Sequence, residues 1–252
     1  MTPEIPPPEI AAPPAPPAES YPFWGYPDLF GFILIAAVGF LVESALAAVF
    51  VDAKHLKQIV VLFPAQILLY ALLLGTLAVI FRRYYGRPFW QSLRWLPSDL
   101  STPFIAACGV GVAFAVAFAS TLLRTPDVDS PMKKLLSDPT SALLIGLLGI
   151  TIGPLCEEIV FRGFLQPLLV RSLGAAPGIL LAAVPFGLLH LQEYNSWRHA
   201  LLIGAAGASF GWMRQRTEST KAAALMHASY NCVFFLLLAL QQAALHGRWA
   251  GR

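Results

Sequence analysis

Apolar runs about as long as a bilayer is thick recur from one end of this sequence to the other. A helix needs roughly 20 apolar residues to cross the hydrocarbon core. Seven such segments can be drawn, at about 29–51, 58–81, 101–123, 140–170, 173–190, 199–213 and 221–240. Inside lipid no water satisfies a bare backbone, so runs of this length must close their own hydrogen bonds as helices. The expected fold is therefore all-α: a polytopic transmembrane helix bundle of about seven or eight helices, with kinked helices around an intramembrane polar cavity.

Composition agrees. Of 252 residues, 57% are hydrophobic and 12% charged, against about a quarter charged in a soluble domain. The net charge of +3 is small, and the basic residues fall between apolar runs. That distribution suits lipid headgroups and gives no nucleic-acid footprint. Cys108, Cys156 and Cys232 all lie inside apolar segments without metal-ligand spacing, so they read as small buried hydrophobes. A thiolate nucleophile at Cys156 is disfavoured by the adjacent carboxylate.

Three regions follow. Residues 1–28 are rich in proline and lack Lys and Arg, so they read as a disordered, partly polyproline tail rather than a signal peptide. Residues 29–240 form the transmembrane helical domain, and 241–252 a short C-terminal tail. Arg82, Arg83, Arg87 and Arg94 sit in one connecting segment, Arg214, Arg216 and Lys221 in another. With seven spans both lie on one side, which the positive-inside rule makes cytoplasmic, together with the N-terminal tail. Trp24, Trp90 and Trp95 fall near span ends, as interfacial anchors do.

The fourth segment carries charge where charge is expensive. Glu157-Glu158-Ile159-Val160-Phe161-Arg162-Gly163 follows a Gly153-Pro154 break, and ionisable groups at membrane depth are rare, paired and functional. Glu158 and Arg162, four residues apart, share a helix face and can pair. Glu157 points about 100° away on the wheel, so it is left free for another task. Downstream, His190 follows Phe186 by one turn, and His227 and Asn231 are four apart on the last segment. Pro185 is expected to break the helix beside His190, as Pro154 does beside the carboxylates. A carboxylate, two imidazoles and an amide donor suit hydrolysis, with acid–base groups activating water and donors holding an oxyanion. Glu43, without a recognisable partner, reads as a packing or cavity residue, and Glu193 and His199 fall in a loop. The second segment presents a plain apolar surface. Gly207 and Gly211, in GxxxG spacing, suit close packing within the monomer and also allow a homo-oligomer.

EEIVFRG, FGLLH and HASYN, in that order and in separate apolar segments, resemble the EExxxR, FxxxH and HxxxN motifs of CPBP intramembrane proteases, the group of CAAX prenyl proteases and bacterial Abi-type proteins. The resemblance covers about residues 135–238. It implies a membrane-embedded endopeptidase that acts on a peptide or protein substrate in or at the bilayer, here as a multi-pass protein of a bacterial plasma membrane. Glu157 and His190 resemble the pair that activates water, His227 and Asn231 the group that holds the oxyanion, and Glu158 and Arg162 the supporting pair. Glu157, His190 and His227 could also offer ligands to a divalent metal such as zinc, although the sequence has no HExxH helix; a metal-free mechanism serves equally well. Two other readings use the same residues: a non-proteolytic scaffold or bacteriocin-immunity protein, and an ion-coupled transporter.

Overall fold

A computed structural model describes residues 20–54, 58–126 and 129–250. Within them every regular element is a helix. Helix α1 (Tyr26–Lys54) and α2 (Gln58–Val79) form an antiparallel pair, and α2 runs on into a π-helical turn at Ile80–Tyr84. A short α3 (Phe89–Ser92) leads to α4 (Thr102–Leu122), then α5 (Pro131–Leu136) and α6 (Pro139–Ile150). Next come α7 (Ile152–Glu158), a π-helical stretch at Ile159–Leu165, and α8 (Gln166–Leu173). The chain ends with α9 (Ala175–Leu189), α10 (Leu191–Tyr194), α11 (Trp197–Thr217) and α12 (Thr220–Ala250).

Each of the seven expected apolar segments is helical, but fewer qualify as spans. Among the described residues, four helical stretches are long and apolar enough to cross a membrane: Tyr26–Leu46, Gln58–Tyr84, Thr102–Leu122 and Thr220–Gln241. The bent pair Pro139–Ile150 plus Ile152–Leu173 makes a fifth if it counts as one. Helix α9 has 15 residues and is short for a crossing, and α11 carries Arg198, His199, Arg214 and Arg216. Around the spans, large apolar side chains face outward, among them Leu34, Leu68, Phe114, Phe118 and Leu237. Such a belt would aggregate in water and is at home in lipid.

Two expected breaks turn out differently. The chain does break before Pro154: Thr151 adopts φ −125° and ψ −90°, and the axis bends by 41°. Proline has no N–H to continue the ladder of α6, so the helix restarts with Pro154 in its first turn, where no donor is needed. Pro185, by contrast, lies inside a continuous α9, and the helix ends five residues later with His190 as its C-cap. At Gly174, φ is +87°, which lets α8 turn sharply into α9 where a side chain would be strained.

Small residues set the closest helix contacts. A Cβ on Gly187 of α9 would come within 2.5 Å of the Ala200 carbonyl on α11. One on Gly109 of α4 would strike the Met226 carbonyl on α12. Gly207 and Gly211 are covered within the chain, by Phe186 and Arg162 and by Gln166 respectively.

The N-terminal expectation needs correction over residues 20–28; residues 1–19 lie outside the described part. Trp24 is fully buried rather than interfacial. Its indole stacks on Phe164 at 5.6 Å and donates Nε1–H to the Phe164 carbonyl at 3.1 Å. Arg171 donates to the Pro22 and Trp24 carbonyls. Leu29, Phe32, Leu77, Phe81 and Leu93 complete this cluster. The aromatic run Tyr21–Trp24 supplies enough apolar area to overcome the entropy of ordering a chain end. At the other end, α12 continues to Ala250, beyond the expected boundary at 240.

Replacing Trp24 by Ala is expected to destabilise the protein by about 3–5 kcal/mol, as loss of a buried aromatic side chain does. Thermal unfolding in detergent reads this directly, and an unchanged melting temperature would mean that the segment is only loosely laid on the bundle.

Candidate active site

The site begins at the break. By ending α6 and starting α7 at a new angle, Thr151 to Pro154 aim the first turns of α7 into the bundle, and Glu157 and Glu158 follow. The next seven residues are π-helical, a local widening that recurs at functional positions. Glu158 is fully buried, whereas the Glu157 side chain is 25% exposed. The two neighbouring carboxylates therefore occupy different environments.

Glu158 accepts from Arg162 Nη1 at 2.9 Å. It also meets His227 Nδ1 of α12 at 2.9 Å, through the same Oε1. A carboxylate oxygen can only accept when ionised, so this contact places the proton on Nδ1 and turns Nε2 of His227 outward. The second arm of Arg162, Nη2, donates to the Gly207 carbonyl of α11 at 2.7 Å. That contact needs a residue without a side chain, since a Cβ at 207 would sit 2.7 Å from Nη2. The guanidinium lies 4.3 Å above the Phe186 ring, a cation–π contact. Phe186 is thus more than filler: it shields the ion pair and carries His190 one turn later.

Glu157 is held from outside this network. Tyr70 of α2 donates its phenol O–H to Glu157 Oε1 at 3.1 Å. Oε2 lies 4.0 Å from His227 Nε2. His190 donates Nδ1–H to the Phe186 carbonyl at 2.8 Å, which leaves Nε2 as the available ring nitrogen. Asn231 spends one amide N–H on the Gly149 carbonyl, at 2.6 Å, and keeps a second.

These groups open on one cavity of about 560 Å³. Glu157, His190, His227 and Asn231 all line it, along with Tyr70 and Phe186. Glu158 and Arg162 lie behind its wall. Phe40, Leu62, Phe63, Phe234 and Phe235 supply much of its apolar surface.

Two lining residues, Tyr70 and Glu193, have roles that the sequence does not reveal. Tyr70 lies on the segment read as a plain apolar surface; a tyrosine hydroxyl within an apolar helix needs a partner, and that was its only local signal. Glu193, expected in a loop, lies on α10, which folds back so that Glu193 and Tyr194 face the cavity. Burial pushes the Glu193 carboxyl above its ordinary range and the neighbouring Glu157 adds to this, against a downward pull from His190. Glu43 of α1 also lines the cavity, one of the two roles expected for it.

The donor set does not assemble as a metal centre. Among the described residues, no three His, Cys, Asp or Glu side chains are grouped so that they could hold an ion. A catalytic zinc wants three protein ligands around one point, and Glu157, His190 and His227 do not form such a group.

Residues 139–233 match the family model described as type II CAAX prenyl endopeptidase Rce1-like. The matched stretch runs from the first residue of α6 into α12 and contains Glu157, Glu158, Arg162, His190, His227 and Asn231. Tyr70 and Glu43 lie outside it. No curated protein and no solved structure matches the chain.

The Tyr70–Glu157 contact can be measured without an activity. In a double-mutant cycle of Tyr70→Phe and Glu157→Ala, unfolding in detergent should show a coupling of about 1.5–3 kcal/mol, as expected for a hydrogen bond to a charged group. Strictly additive effects would show that the two side chains do not interact.

Proposed function

We propose that this chain, whose residues 139–233 match the family model described as type II CAAX prenyl endopeptidase Rce1-like, is an intramembrane endopeptidase whose water nucleophile is activated between Glu157 and His190. The observation that carries the reading is the convergence of Glu157, His190, His227 and Asn231, from three separate helical regions, on one cavity. That the protein is an integral membrane protein of a peptidase family rests on the family match and the apolar helices. The residue roles, the chemistry and the substrate belong to the proposal.

Tyr70 occupies Glu157 Oε1 and leaves Oε2 for a water molecule. The Nε2 atom of His190 accepts the water's second hydrogen bond and fixes its direction. Glu157 takes a proton as the water oxygen attacks the peptide carbonyl carbon, and the carbonyl oxygen becomes an oxyanion. The second Asn231 N–H and Nε2–H of His227, present when the ring is protonated, donate to that oxygen. When the tetrahedral intermediate collapses, the C–N bond breaks and Glu157 returns its proton to the departing amine. The products are a carboxylic acid and an amine, the acid passes its remaining proton to the amine or to water, and the site is restored. Positioned acid–base groups of this kind contribute about 10²–10⁴-fold each, and each oxyanion donor about 10²–10³-fold.

The substrate is a peptide segment that enters from the bilayer or its surface. The aromatic walls hold its apolar parts and limit bulk water. The two basic connecting segments lie together, since the Thr220 N–H donates to the Arg94 carbonyl at 2.9 Å, and we assign that end to the cytoplasm. A bacterial plasma membrane as the location rests on the resemblance to bacterial members of the group.

Purified protein in detergent should cleave a CAAX-type test peptide, and Glu157→Gln should slow this by about 10²-fold or more. His190→Ala is expected to do the same, and Asn231→Ala to lower kcat with little change in KM. Cys156→Ala should cleave normally. Undiminished cleavage by Glu157→Gln would remove the proposed base.

A further inference from the structure

A second cavity, of about 230 Å³, is bounded by Tyr21, Arg94, Gln166, Arg171, Arg214 and Glu218. It lies at the basic end of the bundle, against the docked N-terminal segment, and shares no residue with the cavity described above. Arg214 is 5% exposed. Its Nε donates to Thr220 Oγ1 at 3.0 Å and its Nη2 to the Tyr21 hydroxyl at 3.0 Å. Among the described residues no carboxylate lies within ion-pair distance of it. The acid that borders the cavity, Glu218, pairs instead with Arg94 at 3.3 Å, and its side chain is 71% exposed. Such an exposed pair neutralises little.

Tyr21 does not serve as the counter-ion. Burial pushes its phenol above the ordinary range, against the pull of Arg214 and Arg94, so it stays neutral at physiological pH. Arg94 lies over the same ring, 4.6 Å from its centre. Arg171 is satisfied by backbone carbonyls alone. Three guanidiniums thus surround the cavity with one carboxylate among them, an exposed one that is paired with Arg94. A buried charge without a partner costs several kcal/mol. Among the described residues, Arg214 is thus a buried charge at the cavity without an acidic partner in ion-pair contact.

We propose that this cavity is a binding site for a phosphate group. Phosphate oxygens accept from the guanidiniums of Arg214, Arg94 and Arg171, as arginine and phosphate geometry favours. Two sources share this chemistry: an anionic glycerol-type lipid headgroup and free hydrogen phosphate. Both are available at a basic membrane face, where anionic lipid gathers. Occupancy ties the N-terminal segment, through Tyr21, to the ends of α8 and α11.

Thermal unfolding of the full chain in a phosphate-free, non-ionic detergent tests the site. The probes are inorganic phosphate, phosphatidylglycerol in mixed micelles, and phosphatidylcholine as the zwitterionic control. Wild type should be stabilised saturably by phosphatidylglycerol or by phosphate, and not by phosphatidylcholine. A response to phosphatidylglycerol alone identifies the headgroup, and an equal response to phosphate identifies the free ion. Arg214→Met removes the buried charge and should abolish the response while leaving the unliganded protein folded. If that variant does not fold, Arg94→Gln, at a half-exposed position, should weaken binding roughly tenfold, the loss of one charge-assisted hydrogen bond. The absence of a saturable response to both anionic probes, or an undiminished response in Arg94→Gln and any folded Arg214→Met, would overturn the proposal.

Discussion

One carboxylate oxygen organises the centre of this bundle. Glu158 Oε1 accepts from Arg162 on its own helical stretch and from His227 on α12, and Arg162 extends the network to the Gly207 carbonyl on α11. Neither charge is exposed beyond 1%. At membrane depth each would be prohibitive alone, and each is tolerable because the other is there. Three helical regions are thereby fixed by polar contacts that have no competitor in lipid. Phe161, Phe186 and Phe210 close over the guanidinium and keep the pair dry.

What remains after this pairing is the chemistry. Glu157 is adjacent in sequence but turned toward the cavity, where Tyr70 steadies one oxygen. His227 is oriented by Glu158 so that Nε2 faces the same space, and His190 is oriented by the Phe186 carbonyl. Each imidazole is held by an acceptor at Nδ1 and presents Nε2. The family match covers the helices that carry these side chains, and the N-terminal half adds Tyr70, Glu43 and much of the apolar wall.

Much of this arrangement was readable in the sequence because its cause is local. The i,i+4 spacing of Glu158 and Arg162 puts them on one face, and the chain breaks ahead of Pro154 because proline has no donor. The environments of Glu157 and Glu158 differ because neighbours on a helix diverge by about 100°. Other features have no local cause. Tyr70 and Glu157 are separated by 87 residues, and only the packing of α2 against the broken helix makes them partners. Trp24 resembles an interfacial anchor until Phe81 and Phe164 are seen to enclose it. Pro185 has the same chemistry as Pro154, yet α9 continues through it. The π-helical stretch at Ile159–Leu165 left no mark that composition or period could show.

The central claim is a division of labour between two adjacent carboxylates, one structural and one free to react. The most direct test is a side-by-side comparison of melting temperatures for Glu157→Gln and Glu158→Gln in the same detergent. Removing one partner of a buried pair costs about 3–5 kcal/mol, or roughly 10 °C for a chain of this size. Glu158→Gln should therefore melt about 10 °C below wild type, whereas Glu157→Gln, whose amide oxygen still accepts from Tyr70, should stay within about 2 °C of it. Equal losses in the two variants, or a larger loss at Glu157, would contradict the account.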